Sequence, residues 1–142
     1  MMKPLTHIAI LLLTMLPESI VKADIVVVVN LANPVSSFNH RELVDLYMGR
    51  NLHFSDGSLV LRLDQAPESA VREQFYRALV DKSVAQVNAY WAKLLFAGRA
   101  TPPQFVSDSQ SALTAVRSNR NAIAYVNSSD LDDSVKVVAH VD

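Results

Sequence analysis

The segment DIVVVVN, residues 24–30, constrains the fold more than any other part of the chain. An isoleucine followed by four valines presents stiff β-branched side chains, which suit a strand better than a helix. A strand points alternate side chains to opposite faces, so an unbroken apolar run has two faces to bury. Such a strand belongs inside a sheet that is covered on both sides. In a chain with helical patterns to spare, that means an α/β sandwich.

The rest of the sequence supplies the covering elements. FNHRELVDLYMG reads as a helix. Asn39 is its N-cap, Glu42 completes a capping box, Phe38 and Leu43 form a staple, and Gly49 is the residue just past its end. Asp56-Gly57 marks a turn into a strand in which Leu59, Leu61 and Leu63 alternate with Val60 and Arg62. The next segment, DQAPESAVREQF, opens a helix whose apolar stripe is Val71, Phe75, Ala78 and Leu79. Ser83 and Gln86 form a second capping box. The helix they open buries Val84, Val87, Trp91, Leu94 and Leu95 and stops at Gly98. A short strand is expected around Gln104 to Val106, then a helix in SDSQSALTAVRSNR, a buried strand in NAIAYVN and an edge strand in SVKVVAHVD. The expected order is βαβααβαββ, a single α/β domain with a mostly parallel sheet covered by helices.

Residues 1–23 stand apart. Lys3 precedes an apolar core, IAILLLTML, which is followed by PESIVKA with Val21 and Ala23 at cleavage positions. This is the order of a secretory signal peptide. The apolar core is far short of the ~20 residues that span a bilayer. Cleavage after Ala23 is expected, leaving residues 24–142 as the mature domain in the periplasm with no membrane span. Removing Lys3, Lys22 and Glu18 moves the net charge from −1 to about −2. No basic stripe remains, so nucleic acid is not an expected partner. The chain has no cysteine, which excludes disulfides and zinc–thiolate sites.

The three glycines, Gly49, Gly57 and Gly98, all fit turns or caps. No GxxxxGK[ST], GxGxxG or GxSxG pattern occurs, so nucleotide-binding and serine-hydrolase readings lose their support. His40, His53 and His140 are scattered without ligand spacing, and no metal or other cofactor is expected. Tyr90-Trp91 could form a sugar platform, but helical spacing assigns Trp91 to the core. The helix entrances remain. Asn33, Ser36 and Ser37 follow the first strand; Gln65, Ser69 and Arg72 follow the second; Ser107, Ser109 and Ser111 precede the last long helix. If the strands are parallel, these loops gather at one edge of the sheet, where α/β proteins hold ligands. Hydroxyls beside free helix-start amides suit an oxyanion, though the same residues also serve simply as caps.

NPVSSFNHRELVDLYMGRNLHFSDG, then ESAVREQF, YWAKLLFAGR and NAIAYV, together resemble the phosphate-binding periplasmic proteins of ABC transporters. The likeness runs over nearly all of residues 24–142. It is to one lobe of their two-lobed, type II binding-protein fold, as in the short single-lobe members. The resemblance implies an anion loop of the form R-x-D-G-S-G-T. Aligned on Phe75, its serine falls on Ser69 and a following arginine on Arg72. Gln65, Pro67, Glu68, Ala70 and Val71 depart from it. Glu68 would repel an anion and Val71 lacks a hydroxyl.

The resemblance therefore implies a non-enzymatic, periplasmic solute-binding-like protein that holds phosphate or a similar oxyanion weakly. The contacts would come from Ser36, Ser37, Gln65, Ser69, Arg72 and Ser109, with a protein partner or a second copy covering the open lobe. The alternative is an interaction or structural module of a cell-envelope assembly that reuses the same lobe.

Overall fold

In the computed structural model, which describes Met2 and residues 24–142, the valine run forms β1 (Ile25–Asn30), placed inside a five-stranded sheet. The expected signal peptide lies outside the described residues, apart from Met2. The chain continues through α1 (His40–Tyr47), β2 (Leu61–Gln65), α2 (Ala70–Val80), α3 (Val84–Phe96), β3 (Gln104–Val106), α4 (Ser109–Ser118), β4 (Ala122–Asn127) and β5 (Val135–Val141). A short 3-10 turn, Ser128–Asp130, follows β4. This is the expected element order. The spatial order of the sheet is β3-β2-β4-β1-β5, with β5 at an edge as its alternating pattern implied.

β1 divides the core between two faces. Ile25, Val27 and Val29 pack with Leu43, Leu46 and Tyr47 of α1, Phe75, Tyr76 and Leu79 of α2, and Val87 and Trp91 of α3. Val26 and Val28 turn to the other face, against Ala112, Leu113 and Val116 of α4. Three helices thus cover one side and one helix the other. The caps form as their spacing requires: Asn39 with Glu42 and Ser83 with Gln86 are both complete capping boxes. Gly49 has φ +77°, which a side chain rarely adopts, and a Cβ there would sit 2.8 Å from Trp91 Cη2.

Three expectations need correction. β2 is parallel to β3 and β4, but β1 is antiparallel to both of its neighbours, β4 and β5. Four strands run one way and β1 runs against them. The loop after β1 therefore leaves from the opposite edge of the sheet from the loops after β2 and β4. It then runs back along β5, where the Phe38 N–H donates to the Val138 carbonyl at 2.9 Å. A doubly buried valine run is compatible with either direction, so hydropathy alone could not fix it. The buried stripe of α2 is Arg72, Phe75, Tyr76 and Leu79, rotated from the expected one, with Val71 and Ala78 only half-buried. On α3, Leu95 is 56% exposed rather than buried.

Candidate functional site

Strand direction decides which of the candidate residues meet. The carboxyl ends of β2, β3 and β4 share one edge, and the chain enters α2 and α4 there. Ser69 is the N-cap of α2 and its hydroxyl accepts from the Arg72 N–H at 3.3 Å. Asp108 caps α4 by accepting from the Ser111 N–H at 2.8 Å. Gln65, the last residue of β2, ties the two entrances together. Its Oε1 accepts from the Ser69 hydroxyl at 2.8 Å. Its Nε2 donates to the Ser109 hydroxyl at 3.0 Å and to the Tyr125 carbonyl at 3.2 Å. The Ser109 hydroxyl also accepts from the Asn127 N–H at 3.4 Å, which closes the network onto the end of β4.

Four of the six candidates, Gln65, Ser69, Arg72 and Ser109, are thus gathered at one place. Ser36 and Ser37 are not. They are exposed on the loop after β1 and line a separate hollow of about 420 Å³ with Phe38, Glu42, His53 and Phe54. Their expected membership of the edge fails because β1 runs against the strands that form it. The related residue Asn33 is buried, its side chain accepting from the Val35 N–H at 2.9 Å and donating to the Arg120 carbonyl at 3.1 Å.

Arg72 does not point into solvent. It is 1% exposed and lies over Asp64, which is 2% exposed, with Nε 3.3 Å from both carboxylate oxygens. Its Nη2 donates to Asn88 of α3 at 2.9 Å, and Nη1 is buried without a partner. Tyr76 and Phe105 flank the guanidinium, their ring centres 5.3 and 5.4 Å from Cζ. The Asp64 carboxylate also accepts from the Tyr76 hydroxyl at 2.8 Å and from the Tyr125 hydroxyl. The Tyr125 oxygen in turn accepts from the Gln65 N–H at 3.0 Å. Phe75 stacks on Tyr125 with centroids 3.8 Å apart and planes 7° from parallel. Burial, reinforced by the Asp64 charge, raises the Tyr76 and Tyr125 phenols above their ordinary range, and Tyr47 likewise.

Asp64, Tyr76, Asn88, Phe105 and Tyr125 were not singled out from sequence. One signal was available. Positions 72, 75, 76 and 79 satisfy helical periodicity as well as the stripe first drawn, and they place an arginine on the buried face eight residues after an acid next to the end of a strand. A second buried arginine, Arg62, has a separate role. It donates to the Leu46 carbonyl at the end of α1 and to the Thr101 carbonyl at 2.8 Å, and stacks over Trp91. Burial lowers its pKa from the ordinary value. Trp91 itself is a core residue, as its spacing implied. Among the described residues no group of three His, Asp or Glu side chains is placed to hold a metal ion, and no helix is long and apolar enough to cross a membrane.

Chemically, the edge offers two helix entrances lined with hydroxyl and amide groups, with the Asp108 carboxylate capping that of α4. The guanidinium beneath them is already neutralised by a carboxylate. Nothing here forms a nucleophile–base pair of the kind that drives acyl or phosphoryl transfer.

No protein-family profile matches the chain, and no curated protein matches it. Solved structures do match. A protein from Clostridium perfringens, assigned as a phosphate ABC transporter substrate-binding protein and holding bound phosphate, superposes with a TM-score of 0.66 at 22% identity, over 82% of this chain and 44% of its own. An ABC-type phosphate transport receptor from Vibrio cholerae gives 0.66 at 20% identity, over 82% and 45%. PstS from Borrelia burgdorferi gives 0.64 at 8% identity, over 82% and 47%. The chain spans less than half the length of each of these proteins. At such identities the likeness is one of fold, and the fold of this chain is the one found in part of the substrate-binding proteins of phosphate ABC transporters.

Proposed function

We propose that this protein is a non-enzymatic, solute-binding-like protein that holds phosphate or a similar oxyanion weakly at the shared edge of β2, β3 and β4. The observation that carries this reading is the convergence of the α2 and α4 entrances, with Ser69, Gln65 and Ser109 in one hydrogen-bonded chain between them. Helix starts concentrate unpaired N–H groups and the positive end of the helix dipole, which together favour an anion. The fold shared with phosphate-transport proteins supports the same choice.

The affinity is weak for a stated reason. Asp64 already neutralises Arg72. The pair is net neutral, so an anion at this edge gains no uncompensated cation from it. Glu68, exposed in the same loop, repels the anion. The reading includes export: residues 1–23 are removed and residues 24–142 act in the periplasm, where a protein partner or a second copy covers the edge.

Amide shift mapping during a phosphate titration is the test. Shifts centred on residues 68–72, 108–111 and 127–129, reduced in Ser69→Ala, support the reading. A silent edge at high phosphate overturns it. A second reading, an interaction module of a cell-envelope assembly, draws on the closure of the Arg72–Asp64 pair and would be the better one in that case.

A further inference from the structure

α3 is apolar on two sides. Val87 and Trp91 face the core. On the opposite side Ala85, Ala89, Ala92 and Phe96 are exposed, at a spacing of i, i+4, i+7 and i+11 that lines one helix face. Phe96 is 98% exposed and Leu95 beside it 56%. A helix on a domain surface ordinarily turns charged and polar groups to water on that side. Phe105, 50% exposed, extends the patch from β3: it and Asn88 of α3 flank the same Arg72 guanidinium.

Within the segment that carries this patch the charges have one sign. No Asp or Glu occurs from Ser83 to Val106, whereas Lys93 and Arg99 in it are exposed, and the exposed Asp81 just before it pairs with Arg77 at 3.6 Å. The chain as a whole carries a net charge of −1. A cationic rim around exposed apolar side chains is therefore a local arrangement that composition does not impose.

We propose that the outward face of α3, together with Phe105, docks an amphipathic helix of a different protein, one that carries Asp or Glu beside its apolar stripe. Charge complementarity selects the acidic partner. The alanines let a second helix approach to the usual 8–10 Å, roughly, between axes, and Phe96 and Leu95 supply the larger anchoring groups. A symmetric pairing of two copies through this face would set Lys93 and Arg99 of each against those of the other, which disfavours self-association. An anionic membrane is a poor occupant: alanines bury little apolar area, and the negative chain is repelled from the surface. The inference is independent of the oxyanion site.

The test uses the isotopically labelled protein and a synthetic helix of about 18 residues, five turns long. One stripe of the peptide is Leu and Ala, flanked by Glu; a control peptide has Lys in place of Glu. Binding of the acidic peptide should shift amides in residues 84–99 and 104–106, with the control at least about tenfold weaker. Phe96→Ser should weaken the acidic peptide by about tenfold or more. Lys93→Glu with Arg99→Glu should reverse the preference between the peptides. These side chains already face water, so each variant should melt with the parent. Equal binding of both peptides, no binding, or shifts outside the patch would overturn the proposal. So would binding of phosphatidylglycerol vesicles through this face, or self-association of the protein that Phe96→Ser abolishes.

Discussion

Replacing Asp64 with alanine removes the group on which the buried edge of the site converges. The carboxylate accepts from Arg72 Nε at 3.3 Å, from the Tyr76 hydroxyl at 2.8 Å and from the Tyr125 hydroxyl. In Asp64→Ala the guanidinium stays buried with Asn88 as its one side-chain partner, and Nη1 is already unpartnered. Breaking one side of a buried ion pair costs about 3–5 kcal/mol, and stranding two phenols raises the expected loss to about 4–6 kcal/mol. That is a large share of the roughly 5–15 kcal/mol that holds a domain together. Urea unfolding followed by the fluorescence of Trp91 measures it. Asp64→Asn, which keeps one acceptor, should lose less. The pair replacement Asp64→Leu with Arg72→Met should recover most of the loss, because removing both charges also removes their desolvation cost. A stability of Asp64→Ala within about 1 kcal/mol of the parent, with no coupling to Arg72→Met, would refute the claim that the arginine is held internally.

Alkaline pH should unfold the protein steeply. Burial and Asp64 raise the Tyr47, Tyr76 and Tyr125 phenols in the folded state above their unfolded value, near 10. Above that pH the unfolded chain has lost protons that the folded one keeps. Stability is therefore full below about pH 10 and falls as pH rises, by up to about 1.4 kcal/mol per pH unit for each phenol; Tyr76→Phe should make the fall shallower. Trp91→Ala should cost about 3–5 kcal/mol, since the ring fills the core beneath α3. Gly49→Ala should cost about 1–3 kcal/mol, because φ is positive and the new methyl meets Trp91. Mass spectrometry of the exported protein should show Asp24 as its first residue, whereas an intact Met1 would remove the signal-peptide reading.

The fold was largely legible because its signals are local. The valine run, the two capping boxes and the glycines at helix ends each fix an element without reference to the rest of the chain. The direction of β1 was not local. It depends on which strands flank it, and a run of identical side chains carries no directional mark. The candidate site was half legible for the same reason. Ser69 as cap, with Gln65 and Ser109 nearby, follows from helix entrances. Whether Arg72 faces water or Asp64 depends on a rotation of α2 by about one residue, roughly 100° about its axis. Tyr76 and Tyr125 could have been drawn as ordinary core aromatics. Their hydroxyls matter only once Asp64 is seen beneath them.

Titration calorimetry of the mature domain with inorganic phosphate tests the central claim most directly. The dissociation constant should lie between about 0.1 mM and several mM, because the helix entrances attract an anion while Asp64 withholds Arg72 from it. Submicromolar binding by the monomer would contradict it, since that affinity requires the guanidinium to be free for the ligand.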